Sequence, residues 1–587
     1  MKKHILLGIA GALALMGASS CNQNLLNIPQ KGVVAYENFY ETDEDAVSAL
    51  TAMYAKGCEI ESSNNYNQPS WNVLSNAPGD ELYWGGNSKS DHIPGQEINE
   101  FRGSFSNDNP HVNTVYRWLY ALIYRCNLVI DNFYGEDGEL MTSATKKQCV
   151  AEARAMRAWA HFMAAVYFYN PPKVEHVLAG DARPTNCDHD ELLRFAAEEL
   201  SRAIPDLPER KGPEDKDGAV RLTKGAALSF LGKIQVFQKD WTGAKTSLKQ
   251  VISSGNYKLL PTSQLDQLFH RAGDGCSEKV FEFNIVDHES RGEFSSCYHF
   301  QRNQALFFRQ MKLPFPSITI QVVGWGNNMG PTKKFVDAML AHEPNSARRK
   351  TWFVSYEELL TEFDYVSDVK ADGTEMTREE KLMDGNRGLD LKKYNDLYAN
   401  YGYFWVKRLP YRSDLIHNHS TLTDENRIIM RYAEVLLLYA EACAMTGDND
   451  GLQYLNEVAE RAEAPTYDAL TMENVKQEKW FELAWEGTRW PDLVRWGDAA
   501  TELAFKTREL TPYLTDEFYE YGTLASMTTG RPHAAVILYK DDGWAEKGGG
   551  WKSNHNEYYP IPFSVLEVND ELKQNPYWEK FPSQESY

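Results

Sequence analysis

Three short stretches of the chain set aromatic rings among glycines, amides and a guanidinium. DELYWGGNSKSD at 80–91 supplies Tyr83 and Trp84 ahead of two glycines, with Asn87 and Asp91 behind. CYHFQRN at 297–303 supplies Tyr298, Phe300, Arg302 and Asn303, and GWGNN at 324–328 sets Trp325 between glycines with Asn327 and Asn328 following. Together these residue types recognise sugars. An indole or phenol face stacks on the apolar C–H face of a pyranose, while amides and guanidinium hydrogen-bond the hydroxyls. Glycine lets a ligand approach the backbone and makes Trp325 ill suited to a helix core. The expected ligand contacts are therefore Trp325 first, then Trp84, Tyr83, Tyr298, Asn327, Asn328, Asn87 and Arg302. The ordinary alternative for each stretch is a loop packed on its own protein.

Catalytic chemistry finds less support. HExxH, GxSxG and GxxxxGK[ST] are all missing from the sequence. His417 and His419 in HNH are two ligands on one loop, too few for a metal site. Residues 446–457 imitate a calcium loop, with Asp448, Asp450, Gly451 and Glu457 at positions 3, 5, 6 and 12. Thr446 at position 1 lacks the required carboxylate, and the same residues serve as the turn of a helix hairpin. No catalytic residue, metal or cofactor is expected. A glycosidase would need two facing carboxylates, which sequence separation does not reveal.

The N-terminus points to export. Lys2 and Lys3 precede an apolar or small-residue run, ILLGIAGALALMGA at 5–18. As a helix it is about 21 Å long, against roughly 30 Å of bilayer core, so it reads as a signal peptide over 1–20. Cys21 follows Ala18, Ser19 and Ser20 in a pattern that resembles the lipobox of bacterial lipoproteins. That resemblance implies an acylated Cys21, and several acyl chains make a stable membrane anchor. Without residues 1–20 the chain has 59 basic and 83 acidic residues, a formal charge of −24. Such a charge repels phosphate backbones, which argues against nucleic acid as a partner. Cysteines 58, 126, 149, 187, 276, 297 and 443 are scattered and odd in number, and read as buried free thiols.

Most of the remaining chain carries helical periodicity. Residues 44–57, 113–133, 148–169 and 189–204 space apolar residues at three to four, and Pro171-Pro172 ends the alanine-rich third helix. TKGAALSFLGKIQVFQKDWTGAKTSLKQVISSGNYKL at 223–259 reads as two helices about a turn at Lys239-Asp240, with Ala226, Ala227 and Gly232 allowing close approach. Its length of about 34 residues resembles a tetratricopeptide repeat. A second hairpin is expected at 428–461. The first four helices could form two further hairpins, 44–57 with 113–133 and 148–169 with 189–204. Strand-like runs occur at 280–286 and 404–409. The expected fold is mainly α, a tetratricopeptide-like hairpin scaffold with a large irregular portion carrying short strands. The expected divisions are a tether at 21–43, scaffold with inserted loops at 44–261, an irregular ligand-binding portion at 262–425, a helical portion at 426–511 and an irregular tail at 512–587.

Three segments, RYAEVLLLYAEA at 431–442, FELAWEGTRWPDLVRWG at 481–497 and YYPIPFSVLEVNDELKQNPYW at 558–578, resemble the SusD/RagB family of outer-membrane nutrient-binding lipoproteins. LLNIPQ at 25–30 and PTKKFVDAM at 331–339 also fit. In 481–497, Phe481, Leu483, Trp485, Trp490, Leu493, Val494 and Trp496 should build a buried hinge. Glu486, Arg489, Asp492 and Arg495 should then need ion-pair partners. The resemblance implies a non-enzymatic protein of a Bacteroidota-type bacterium, anchored on the surface of the outer membrane. It would capture oligosaccharide or polysaccharide for a SusC-like TonB-dependent transporter. NQNLLNIPQK at 22–31 has no acidic residue, so the outward orientation rests on the resemblance alone. A RagB-like peptide binder, a scaffold without small ligand and a glycoside hydrolase remain as alternatives. The identity of the glycan is not legible in the sequence.

Overall fold

A computed structural model describes residues 39–61, 70–84, 92–285, 297–298, 329–355, 358, 372–375, 403–408, 414, 422–423, 425–508, 510–514, 537–541 and 550–579. Cys21 and the run at 5–18 lie outside these residues. Among the described residues no helix is long and apolar enough to cross a membrane.

The fold is mostly helical, as expected. In chain order the first elements are α1 (Asp43–Cys58), α2 (Ser70–Asn76), β1 (Leu82–Trp84), α3 (Ile93–Asn99), α4 (Pro110–Phe133), α5 (Ala144–Phe168) and α6 (His189–Ala203). They continue with α7 (Lys224–Phe237), α8 (Trp241–Ser253), β2 (Lys279–Phe283), β3 (Cys297–Tyr298), β4 (Met329–Pro331), α9 (Lys333–His342), α10 (Ala347–Trp352), β5 (Phe353–Ser355) and β6 (Tyr403–Trp405). The last are β7 (Leu422–Thr423), β8 (Arg427–Arg431), α11 (Tyr432–Thr446), α12 (Gly451–Arg461), α13 (Met472–Glu482), α14 (Arg489–Trp496), α15 (Ala499–Glu502), β9 (Leu510–Leu514), β10 (Ile537–Asp541) and α16 (Phe563–Leu566).

Local chemistry sets the helix ends. Thr42 caps α1 reciprocally with Asp45: Asp45 N donates to Thr42 Oγ1 at 3.1 Å and Thr42 N to Asp45 Oδ2 at 2.8 Å. Ser143 caps α5 by accepting from Lys146 N at 3.0 Å. The sequence suggests an amphipathic α5, but every residue from Cys149 to Phe168 is buried, so the helix is central. Its charged side chains survive there because each is answered. Glu152 takes Arg221 and the Tyr54 hydroxyl, and Arg154 and Arg157 share Glu199.

The hairpin of α7 and α8 turns at Lys239, whose φ is +61°, and Asp240 caps α8 by accepting from Gly243 N at 2.9 Å. A Cβ on Gly232 would stand 2.5 Å from Leu248 Cγ, so only glycine admits this approach of α7 to α8. Next along the stack is α11, clamped to α8 by Lys245–Asp448 at 2.7 Å and Lys249–Asp450 at 2.8 Å. These are the carboxylates of the calcium-loop imitation, and they are spent on lysines. The second hairpin begins later than its periodicity suggests. Residues 427–431 are strand β8, paired antiparallel with β2 (Glu282↔Ile428, Phe283↔Arg427), and the helix starts at Tyr432. Five two-stranded ribbons occur among the described residues: β1–β4, β2–β8, β3–β7, β5–β6 and β9–β10. The cysteines whose side chains are described, 58, 126, 149, 187, 276 and 443, are free thiols, all buried but Cys58 and Cys276, which are half-buried.

An ion-pair network lies inside the C-terminal half. Arg348 meets Glu343, Glu478 and Glu482; Arg431 meets Glu278, Glu482 and Glu486; Arg461 meets Glu278 and Glu482. Burial raises the Glu482 carboxyl, but Arg461, Arg431 and Arg348 outweigh it and hold the group well below the usual carboxylate range. Besides Glu482, the other four charges of the 481–497 segment are all answered: Glu486 by Arg431 and Lys407, Arg489 by Asp80, Asp492 by Lys479, and Arg495 by Glu441.

Candidate ligand-binding segments and their clamp

The ribbon of β1 and β4 joins the first of the three aromatic stretches to the residues that directly follow GWGNN. Leu82 pairs with Pro331, Tyr83 with Gly330 and Trp84 with Met329. The segments 80–84 and 329–331, far apart in sequence, thus share one anchor. Of Tyr83 only the backbone is described. Tyr298 pairs through its backbone with Leu422 in the separate β3–β7 ribbon. Asn87, Arg302, Trp325, Asn327 and Asn328 lie outside the described residues, as do His417 and His419.

Trp84 corrects the expectation drawn from its neighbours. Its side chain is fully buried, and a Cβ on Gly95 of α3 would stand 2.2 Å from its Nε1. The indole is seated on that glycine. The glycines after Trp84 suggested room for a ligand to approach, whereas the one that matters comes from α3 and packs against the ring from outside the stretch. Trp84 is thus an anchor of the ribbon and presents no face to a ligand.

The chain just ahead of β1 is held from several sides. Thr332 caps α9, accepting from Phe335 N at 3.1 Å, and its own Oγ1 donates to Asp80 O at 2.6 Å. Arg489 grips both Asp80 carboxylate oxygens at 2.8 and 3.0 Å, and Lys334 reaches Asp80 Oδ2 at 2.8 Å. Gly487 N donates to Asn76 Oδ1 at 2.9 Å, and Trp485 N to Glu81 Oε2 at 2.9 Å. Trp485 itself sits at φ +63° and Gly487 at +77°, so the turn between α13 and α14 is shaped to meet 76–81. Lys407 ties down the same turn, donating to Ala484 O at 2.6 Å and pairing with Glu486 at 2.7 Å. Lys506 ties Ala77 O at 2.8 Å to Asn99 O at 3.0 Å.

Asp80 and Glu81 are neighbours driven apart in acidity. Burial raises Asp80, but Arg489 and Lys334 prevail and bring it to about 2. Burial pushes Glu81 up to about 8 against the Trp485 N–H. In an open cleft such a split would mark an acid and a base. Here Asp80 is 0% and Glu81 1% exposed, and Asp80 is locked between two cations, so the pair is a clamp. Among the described residues no three or more His, Cys, Asp and Glu side chains gather to hold a metal.

The sequence signalled the charges of 481–497 but not their partners. Asp80 lies four residues from Trp84 inside a stretch read for its aromatics, and Glu278 and Arg431 flank strands with no feature marking them as ion-pair residues.

Residues 238–578, more than half the chain, match the model of the SusD family. A SusD-like protein of Bacteroides ovatus is 22% identical, with 98% of this chain and 95% of that one aligned. A SusD-like protein of Formosa agariphila is 22% identical over 83% of this chain and 89% of its own. Among solved structures, a laminarin binding SusD-like protein superposes with a TM-score of 0.64 at 20% identity, covering 92% of this chain and 100% of that one. Surface glycan-binding protein A from Bacteroides thetaiotaomicron, in complex with laminarihexaose, gives 0.66 at 21% identity over 91% and 99%. At these identities the likeness to the solved structures is one of fold.

Proposed function

Because the chain belongs to the SusD family, we propose that it is a lipid-anchored glycan-binding protein of the outer membrane, facing outward, that captures oligosaccharide and catalyses no reaction. It would pass its ligand to a SusC-like TonB-dependent transporter. The observation that best supports the reading is the β1–β4 ribbon, which gives the 80–84 segment and the residues directly after GWGNN a common, clamped base. The relatives solved as a laminarin binder and as a laminarihexaose complex support a saccharide as ligand class and make laminarin the first glycan to test. Trp325, Tyr83, Tyr298, Asn327, Asn328, Asn87 and Arg302 remain the proposed contacts. Trp84 is withdrawn from that set.

The test is a glycan array on the soluble chain from residue 22 onward, followed by calorimetric titration. Trp325→Ala should abolish or severely weaken binding of the array's best glycan without changing the melting temperature. Stacking contributes about 0.5–1.5 kcal/mol beyond area burial, and a weak sugar ligand has little affinity to lose. Wild-type binding by Trp325→Ala would put the site elsewhere, and an array with no positive glycan would sink the reading.

A further inference from the structure

A concavity elsewhere in the fold shares no residue with the β1–β4 ribbon. The end of α1, the start of α2 and the middle of α4 leave a cleft of about 350 Å³ between them. That is the lower end of small-molecule pockets, which run to about 300–1,000 Å³, and is room for one or two sugar rings.

Its lining has a distinct chemistry. The floor is the small exposed part of two largely buried indoles, Trp71 and Trp118, 9% and 8% exposed and set edge to face with centroids 5.6 Å apart. Trp118 is fixed in place because its Nε1 donates to Lys56 O at 2.8 Å. Thr114, Arg117 and Trp118 stand at i, i+3 and i+4 on α4 and so share one face of that helix. Opposite them Lys56 and Glu59 form an ion pair at 2.6 Å. Lys56 lies in the last turn of α1, where it offsets the partial negative charge of that helix end. Arg117 is exposed and has no ion-pair or hydrogen-bond partner among the described residues. The cleft thus carries two cations against one carboxylate in a chain whose formal charge is −22.

We propose that this cleft is a second saccharide subsite, selective for a sugar residue that bears an anionic group, a uronate above all. The inference rests on the glycan-binding reading and adds a ligand class to it. The unpartnered Arg117 guanidinium takes the carboxylate through two parallel N–H donors, the Thr114 hydroxyl and the Lys56–Glu59 pair take ring hydroxyls, and the sugar's apolar edge rests on what the cleft exposes of the indoles.

The test uses two small probes that differ only at the carboxylate, methyl β-glucuronide and methyl β-glucoside. Saturation-transfer NMR on the soluble chain from residue 22 measures both affinities. Wild type should bind the glucuronide at least about tenfold more tightly than the glucoside. Arg117→Gln should remove that preference. Equal affinity for the two probes in wild type, or a preference that survives Arg117→Gln, overturns the proposal. In that event a glycan from the array that still depends on Trp325 leaves the primary reading standing. An array without any glycan ligand removes that reading instead, whatever Arg117→Gln does.

Discussion

The stability of Glu81→Gln relative to wild type should rise with pH. The Glu81 side chain is buried; Oε2 accepts from Trp485 N at 2.9 Å, while Oε1 has no hydrogen-bond partner among the described residues. Burial therefore dominates and lifts the carboxyl to about 8 from an ordinary 4.5, with Asp80 adding to the lift and Arg489 and Lys407 opposing it. A raised carboxyl pKa means that the folded state holds the proton more tightly than the unfolded chain. The stability this group supplies is complete below 4.5 and is lost as pH rises through 8. At about 1.4 kcal/mol per unit, the charge costs about 3 kcal/mol more at pH 8 than at pH 5. Glutamine never ionises. Its amide N–H groups, left without an acceptor, cost about 1–3 kcal/mol, and they do so equally at every pH. The signature is therefore the slope and not the offset. At about 2.1 cal/mol/K per residue, 3 kcal/mol moves the melting temperature of a chain this long by about 2–3 °C. Thermal melts of both proteins from pH 5 to pH 8 should show Glu81→Gln gaining that much on wild type. A difference in melting temperature that stays flat across this range would refute the argument that Glu81 is uncompensated.

Other substitutions probe the remaining links. Trp84→Ala should lower stability by about 3–5 kcal/mol in thermal melts, because it empties a buried site; an unchanged melt would return Trp84 to the ligand face. Gly232→Val should cost about 1–3 kcal/mol by driving a side chain into Leu248, and an unchanged melting temperature would contradict the close packing of α7 on α8. Cys21→Ala should move the protein from the membrane fraction to the soluble one with its circular dichroism unaltered. Retention in washed membranes would dismiss the lipid anchor.

What the sequence made legible follows the reach of each interaction. The α7–α8 hairpin was readable because its evidence is local: period, a turn at Lys239-Asp240, and small residues where two helices approach. The start of the second hairpin was misread because Ile428, Ile429 and Met430 suit strand and helix alike, and only pairing with β2 decides between them. Burial of α5 on every side could not be read from a helix that still carries Glu152, Arg154, Arg157 and His161, since the groups that satisfy them come from other elements. The charges of 481–497 announced a network, yet Asp80, Glu278, Arg431 and Glu441 had to be found in space. Trp84 failed for the same reason, through a glycine eleven residues away that receives the ring.

The burial of Trp84 bears on how a loop-borne sugar site could be held steady. A ligand that binds through one or two stacked rings loses much of its affinity when those rings must first be ordered, so the segments carrying them need a fixed base. The chain ahead of β1 supplies one. Asp80 is gripped by Arg489 and Lys334, Glu81 by the Trp485 amide, Asn76 by the Gly487 amide, and the Trp84 indole fills the space over Gly95. Each of those partners except Gly95 belongs to α9, to the first residue of α14 or to the turn between α13 and α14, and that turn is bound in its own right by Lys407. Buried ion pairs are a poor source of net stability, because desolvation cancels much of their attraction, but removing one partner is strongly destabilising. A clamp of this kind therefore fixes geometry more than it adds stability. On the proposed reading, the base of the ribbon stays where the helices put it whichever ligand is bound.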